Sequence, residues 1–558
     1  MHYKPYLLFN THFTTKEGKN MKVSFKRSLA ISLFVVLLVV PLTTTVFASQ
    51  DDAAPRYGGS LIVPNSYVSD VETLDPIGVS DQSAEEGQII IQLNDSLLAI
   101  NPKNNKIKAA IAKDWKLTED KKSYIFDLRE GVKFHNGTEV TAEDFKYSFT
   151  RLLKEGRSEN LLSNVVGAEE VMSGKSDNLS GVKVLEKYKL RIDLKEKDVT
   201  FLYNLANHGT SVVPKEEVEK LGDQFGSRPV GAGPFKLERW VRGSEIVLTR
   251  FDDYYGGKAY LEKVVFKLMP ESTTRNLSFR QGNLDYNFVD MANYQQIKKK
   301  TEPENLIETT ELWTRAVLFN TGWGPLKNKK VRKAINYAID KEKVIKDYYQ
   351  GMAYPATGPI SSGYPAYDED IGYNYNPEKA KTLMKEAGYK DGFEIEILGP
   401  EASGYGIPAA VPLVPYLSEI GINVKLTTLS WGNLMPRLQE GDFEAYISSV
   451  GGKISALEVI KTYTCDTPRT EGNRSLFCDP EFDEYIEEAE KTFDIDERNK
   501  IIKQAVSTFT DNAVWFFYNY PKPVIIKQPW VHGLVGNSRE KAFQPLDEVW
   551  VDESSPRS

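Results

Sequence analysis

The sequence predicts an α/β protein built of more than one lobe, and three observations carry that expectation. The chain has 558 residues, far more than one hydrophobic core organises, because cores stop growing beyond roughly 250–300 residues. Its composition, 41% hydrophobic and 27% charged without a long low-complexity tract, is that of a globular protein and excludes a largely disordered one. Strand and helix patterns also interleave along the chain without a fixed-period repeat, which favours α/β lobes over a solenoid or an all-β sandwich.

Taken in order, the amino terminus is a processing signal. Met21, Lys22, Lys26 and Arg27 precede an apolar run of twelve residues, Leu29 to Val40. That length suits the apolar segment of a signal peptide and falls short of the ~18 residues that span a bilayer, the uncleaved anchor being the alternative. Pro41 breaks the run, and Val46-Phe47-Ala48 offers the small-residue pattern that predicts cleavage after Ala48. Residues 1–20 stand upstream of a signal that itself begins at Met21, so they read as a non-native extension, with 21–48 as the signal peptide. No cysteine follows the apolar run to carry a lipid, so a freely diffusing periplasmic protein is expected.

Within the exported part, Tyr124, Phe126 and Leu128 alternate with polar neighbours as a half-buried strand does. Thr141-Ala142-Glu143-Asp144 reads as a helix start, with acids at the positive end of the helix. Ile246-Val247-Leu248 and Val264-Val265-Phe266 read as strands, the second closed by Pro270. Val331, Ile335, Ala338 and Ile339 form one apolar helical stripe, expected to dock onto a sheet. Asn376-Pro377 opens a further helix that Gly388 closes.

The only cysteines, Cys465 and Cys478, flank a polar stretch holding Pro468, Gly472 and Asn473. In an oxidising compartment they are expected to pair as a disulfide; a metal site is the weaker alternative, since no histidine stands near to complete it. Removing residues 1–48, with six basic and one acidic residue, leaves 64 basic against 77 acidic side chains, a net −13. Such a surface disfavours nucleic acid and anionic membranes, and it also serves simply to keep an exported protein soluble.

Enzymatic signatures are scarce. After cleavage only His135, His208 and His532 remain, so no HExxH pair exists, and neither a G-x-S-x-G elbow nor a phosphate-cradling G-x-x-x-x-G-K-[ST] loop occurs. Ser176-Asp177-Asn178 has no S-x-x-K or K-T-G companion. A carboxylate pair of the glycosidase kind stays open, because its geometry is not written in sequence.

Four blocks stand out together along the exported part. The first is Leu74-Asp75-Pro76, Ala112 to Trp115, and Phe126 through His135-Asn136-Gly137 to Asp144. The second is Gly231-Ala232-Gly233-Pro234-Phe235 with Asp253 to Lys258 and Gly282 to Asp285; the third is Phe319-Asn320-Thr321 with Val331 to Asp340. The fourth is Gly421-Ile422, Trp431 and Gly441-Asp442-Phe443. In this order the four blocks resemble the bacterial extracellular solute-binding proteins of family 5, the peptide- and nickel-binding receptors of ABC importers.

The resemblance implies a two-lobed periplasmic-binding-protein-like α/β fold of type II, in the large cluster with an extra inserted domain, its ligand cleft between the lobes. Lobe I is expected over 49–92, 209–312 and 518–558, the inserted domain over 93–208 and lobe II over 313–517, with chain crossings near 310–318 and 512–522. It implies a receptor and not an enzyme, without cofactor or metal, working as a monomer that delivers peptide or a related solute to ABC permease subunits in the membrane.

Most matching residues read as structural: Phe134, Gly137 and Asp144 as a turn and helix start, Gly231 and Gly233 as backbone freedom. Expected ligand contacts are Trp431, Ser448, Ser449, Gly451, Gly452, Lys453 and Tyr405. Peptide receptors of this family hold the ligand's amino terminus with an aspartate, and the aligned residue here is Lys453, with Glu458 as the nearby alternative. Residues 400–412 also lack the arginine that receives a dipeptide's carboxylate. Three cargo readings therefore stand: peptide; an oligosaccharide or anionic solute on the same fold; and, in a different class, the substrate of a secreted hydrolase.

Overall fold

In the computed structural model the described residues are 54–80, 83–402, 404–539 and 544–558. The expected signal peptide, 21–48, and the expected extension before it lie outside them.

The Ser60–Asn65 strand opens a four-stranded mixed sheet, pairing in parallel with Lys263–Leu268, which continues into Glu245–Arg250 and Phe235–Val241. Leu61, Val63, Ile246, Leu248, Val264 and Phe266 bury one face of it against the Ala84–Leu93 helix and the carboxyl-terminal segment around Val549. Asp285 ties this lobe together from a fully buried position. Its carboxylate accepts from the Ile62 N–H at 2.6 Å and the Trp530 indole at 2.7 Å, and pairs with Arg557, so its charge is compensated from three sides.

A second unit follows the Ala84–Leu93 helix: strands Ala112–Leu117, Ser123–Leu128, Lys189–Asp193 and Val182–Glu186 form an antiparallel sheet covered by the Ala142–Glu155 helix. The alternation read in the sequence is the core pattern, with Tyr124, Phe126 and Leu128 buried against Phe145 and Phe149. At the helix start the Asp144 carboxylate accepts from both the Thr141 N–H and its hydroxyl, each at 2.8 Å. Asp75 grips Arg151 of the same helix through two hydrogen bonds of 3.0 and 2.6 Å, pinning this unit to the first lobe.

Gly231 and Gly233 have a different reason to be glycine from the expected backbone freedom. A Cβ on Gly231 would lie 2.1 Å from the Leu93 carbonyl oxygen and one on Gly233 2.6 Å from the Asn94 nitrogen, so close approach of two backbones excludes any side chain.

Residues beyond 312 build a six-stranded sheet ordered Ala353–Pro355, Trp515–Pro521, Trp313–Phe319, Ala445–Gly451, Phe393–Gly399, Ile422–Thr428. The helix Lys329–Ala338 lays Val331, Ala334, Ile335 and Ala338 on one face. An aromatic cluster centred on Phe509 and Trp515 fills the other. The Pro377–Glu386 helix starts as read, with the Asn376 side chain accepting from the Lys379 N–H at 2.9 Å.

The chain passes between lobes twice. At 309–312 and 521–523 it runs as a paired ribbon, Thr309 donating to the Pro523 carbonyl and Glu311 to that of Pro521. The strand Trp515–Pro521 belongs wholly to the six-stranded sheet, so residues 518–521 lie in the second lobe's sheet.

Cys465 and Cys478 form a disulfide, their Cα atoms 4.3 Å apart and 13 residues apart in sequence. Closing so short a loop stabilises by about 3 kcal/mol at most, chiefly by restricting the unfolded chain. The double variant Cys465→Ser, Cys478→Ser is expected to lose that amount in urea unfolding, with the six-stranded sheet retained by circular dichroism.

Candidate functional site

Open α/β sheets bind ligands outside the carboxyl ends of their strands, because loops there are free to vary while the strands stay fixed. In the second lobe that edge collects the ends of Phe393–Gly399, Ile422–Thr428, Ala445–Gly451 and Trp515–Pro521, with the start of Trp313–Phe319. It also faces both crossings.

Leu312 is the knot of this edge. Its N–H donates to the Ser538 carbonyl at 2.8 Å, joining it to the carboxyl-terminal segment, and its carbonyl accepts from Gly452 at 2.7 Å. The buried Tyr364 hydroxyl bridges the carbonyls of Leu312 and Lys453, at 3.1 and 2.6 Å. Gly451 and Gly452 are required here: both have positive φ, +122° and +75°, and a Cβ on Gly452 would lie 2.3 Å from the Trp313 ring.

The expected contacts fall along this edge unevenly. Ser448 and Ser449 pair with Ala316 and Arg315, and Gly451 pairs with Trp313, so Ser448 to Lys453 form one continuous rim with the Trp313–Arg315 segment. Tyr405 sits in the loop that follows the Phe393–Gly399 strand, beside Gly404, against which the Arg315 guanidinium rests. Trp431 starts the helix after the edge strand Ile422–Thr428, two strands from the Ser448–Lys453 rim, with 45% of its surface exposed. Glu458 is engaged elsewhere. Its carboxylate accepts from the Thr200 hydroxyl at 3.0 Å and pairs with Lys461 at 2.6 Å.

The Thr200 contact is one of several by which the inserted unit reaches the second lobe. Asn105 donates to the Gly363 carbonyl at 3.1 Å, and the Lys121 ammonium stands 5.1 Å over the Phe493 ring. Beside these polar contacts Val199 of the inserted unit packs with the second lobe's core, so the seam is part polar and part apolar.

Residues that sequence reading passed over complete the rim. Arg315 lies in the strand Trp-Thr-Arg-Ala-Val-Leu-Phe, where a cation interrupts the apolar face of Val317 and Phe319; that interruption was the available signal. Tyr349 donates to the Gly404 carbonyl at 3.0 Å and stacks near Arg315; burial pushes its phenol up, against the guanidinium charge.

A cavity of about 480 Å³ opens where the first lobe meets the inserted unit, reaching Asn537 and Arg539 beside the crossing. Burial raises its Asp95 carboxyl to about 6, against hydrogen bonds from Tyr254 and Tyr255. Burial and the Arg539 charge together lower the His208 imidazole to about 3. Because the Asp95 carboxyl is held above its unfolded value, folding penalises its charged form, and stability from this group falls as pH rises from about 4 to about 6. Asp95→Asn, which keeps an acceptor for the Tyr254 hydroxyl, is expected to stabilise by up to about 3 kcal/mol at pH 7.5. The gain over wild type should vanish in urea melts near pH 4. A larger cavity of about 950 Å³, around Asp75, Lys146 and Arg151, is lined only by the first lobe and the inserted unit. A ligand there touches one side of the hinge and has no means of driving closure.

Among the described residues no three histidine, cysteine or acidic side chains are grouped to hold a metal ion, and no helix is long and apolar enough to cross a membrane.

Comparison with known proteins agrees with this geometry. The pattern described as bacterial extracellular solute-binding proteins, family 5 Middle, matches residues 106–465. The heme-binding protein A of Haemophilus influenzae is 29% identical over 446 residues, 76% of this chain and 81% of that protein. The dipeptide-binding protein of Escherichia coli is 28% identical over 448 residues, 76% and 82% of the two chains. Among solved structures, the ABC transporter-associated periplasmic binding protein DppA from Helicobacter pylori, in complex with the peptide STSA, superposes with a TM-score of 0.69 at 26% identity, covering 89% of this chain and 99% of that one.

Proposed function

This chain belongs to the bacterial extracellular solute-binding proteins of family 5, and on that premise we propose that it captures a peptide or related small solute between its lobes and delivers it to the membrane subunits of an ABC importer. The observation that carries this reading is the hinge. Two lobes, each with its own core, are joined by the ribbon at 309–312 and 521–523, by packing beside it of Tyr294 with Met352, and by the contacts of the inserted unit, so a ligand touching both lobes shifts them to the closed form. The mechanism is closure; no step of covalent chemistry is required of any side chain.

Family members are extracytoplasmic, and the reading places this protein free in the periplasm after cleavage at Ala48, acting as a monomer without nucleic-acid partners. On this reading the first lobe takes 54–92 with 209–312 and the segment beyond the return crossing, the inserted domain 93–208, and the second lobe 313 through the return crossing. The cargo contacts are Ser448, Ser449, Gly451, Gly452, Lys453, Tyr405 and Trp431.

Peptide is the first expectation for the cargo, supported by the dipeptide- and peptide-bound relatives. Lys453 favours a second: its cation, in the Ser448–Lys453 rim, repels a free ligand amine, so the peptide's amino terminus is blocked or points elsewhere, or the solute is anionic or a sugar. Native mass spectrometry of protein purified from its own host tests the reading. A single retained small solute, recovered chemically unchanged, is expected; solute converted on incubation would establish a hydrolase instead.

A further inference from the structure

The return crossing carries a lysine that is held out of water. Lys522 stands in the ribbon itself, between Pro521 and Pro523, and is only 8% exposed. Its ammonium lies over two tyrosine rings that belong to different lobes, 5.1 Å from the ring of Tyr294 in the first and 5.2 Å from that of Tyr354 in the second. A cation between two ring faces is attracted to both, and more strongly once water is excluded.

The first-lobe half of this arrangement is a closed network. The Tyr294 hydroxyl donates to the Glu308 carboxylate at 2.6 Å and accepts from Lys298 at 2.9 Å and Lys522 at 3.1 Å, which uses its one proton and both its lone pairs. Glu308 in turn stands 2.9 Å from Lys298 and 3.5 Å from Lys522. Tyr294 and Lys298 are fixed on the Tyr294–Lys300 helix and Glu308 on the Leu306–Glu308 strand. On the other side, Tyr354 lies in the Ala353–Pro355 strand at the edge of the six-stranded sheet, and the turn before that strand also presses on the first lobe. There the Gln350 carbonyl accepts from the Gln295 side chain, the Met352 carbonyl accepts from the Lys522 N–H at 3.3 Å, and Met352 packs with Tyr294. Gln350 takes φ +53°, a left-handed conformation that is costly for a residue with a Cβ and persists only where the surroundings hold it. The bond from Gln295, in the other lobe, is part of what holds it.

We propose that Lys522, clasped between Tyr294 and Tyr354, is a hinge latch that stabilises the lobe arrangement seen here, in which the inserted unit meets the second lobe, and so raises cargo affinity without touching cargo. Rotation of the second lobe about the ribbon carries Tyr354 away from Tyr294, so the ammonium keeps one ring and loses the other. Tyr354 lies three strands from the Ser448–Lys453 rim in the order of the sheet, so its effect on capture passes through the arrangement of the lobes. The proposal rests on the receptor reading above and adds to it the element that biases closure.

The test compares Lys522→Met, Tyr354→Ala and Tyr354→Phe with wild type. Each is the mature protein, freed of cargo by unfolding and refolding, with spin labels on cysteines introduced at Lys175 of the inserted unit and Glu488 of the second lobe. Pulsed electron paramagnetic resonance on cargo-free protein reads the ratio of short to long distances. Tyr354→Ala is expected to lower that ratio about 3- to 10-fold and Lys522→Met at least as much, whereas Tyr354→Phe, which keeps a ring face for the cation, stays within about twofold of wild type. When the solute fraction released by heating protein purified from its own host is added back, the concentration giving half-closure should rise by the same factors. Tyr354 is 37% exposed, so Tyr354→Ala should keep the wild-type urea midpoint, which separates a shifted hinge from a damaged fold. Distance distributions alike in wild type, Tyr354→Ala and Lys522→Met, or a Tyr354→Phe loss as large as that of Tyr354→Ala, overturn the latch and leave the receptor reading intact. A wild-type distribution that ignores the added solute overturns the receptor reading and the latch with it.

Discussion

Trp515→Ala is expected to cost about 3–5 kcal/mol, the largest loss from any single truncation in the second lobe. Trp515 is fully buried, with its ring centroid 5.0 Å from Phe509, 5.1 Å from Tyr463 and 5.9 Å from Phe517. Those rings come from the Ile495–Asp511 helix, the turn at Lys461–Tyr463 and the strand itself, so no single backbone shift can refill the cavity. The indole N–H has no hydrogen-bond partner, so Trp515→Phe loses area and no polar contact. It should fall well short of the alanine loss. Urea midpoints followed by circular dichroism separate the two; a Trp515→Ala loss below about 1 kcal/mol would mean that this cluster does not organise the lobe.

Gly452→Val is the second. The backbone there is left-handed, at φ +75°, which costs a residue with a Cβ about 1–2 kcal/mol and a β-branched one no less. The new Cβ also falls 2.3 Å from the Trp313 ring, and displacing that indole adds about 1–3 kcal/mol. A total near 2–5 kcal/mol is expected, concentrated at the rim. Gly452 also donates to Leu312, whose N–H holds Ser538, so the damage spreads to the crossing. The variant should therefore lose co-purifying cargo even where its helix content is retained, and cargo at wild-type occupancy would show that the rim is not the binding edge.

Local features of this fold were legible from the chain. The alternation at Tyr124, Phe126 and Leu128, the stripe from Val331 to Ala338 and the Asn376 cap depend on neighbours a few residues away, and period and capping chemistry express them directly. The pairing of Arg315 with Ser449 on one side and Asn519 on the other was not legible. It exists only because three strands, at 315, 449 and 519, come into register, and pairing over such separations is set by the sheet as a whole. Glu458 illustrates the same limit: read as a stand-in ligand contact, it meets Thr200, 258 residues away, across the lobes. Gly231 and Gly233 were visible as glycines, but only the neighbouring backbone at 92–94 shows why nothing larger fits.

The account turns on closure of two lobes about the ribbon at 309–312 and 521–523, and a distance between the lobes tests it most directly. Both native cysteines are paired in the disulfide, so cysteines introduced at the exposed Lys175 of the inserted unit and Glu488 of the second lobe are the only thiols to label. Pulsed electron paramagnetic resonance on cargo-free protein is expected to give a broad distribution, collapsing to one shorter distance when the protein's own cargo is added back. An unchanged distribution at full occupancy would contradict capture by closure.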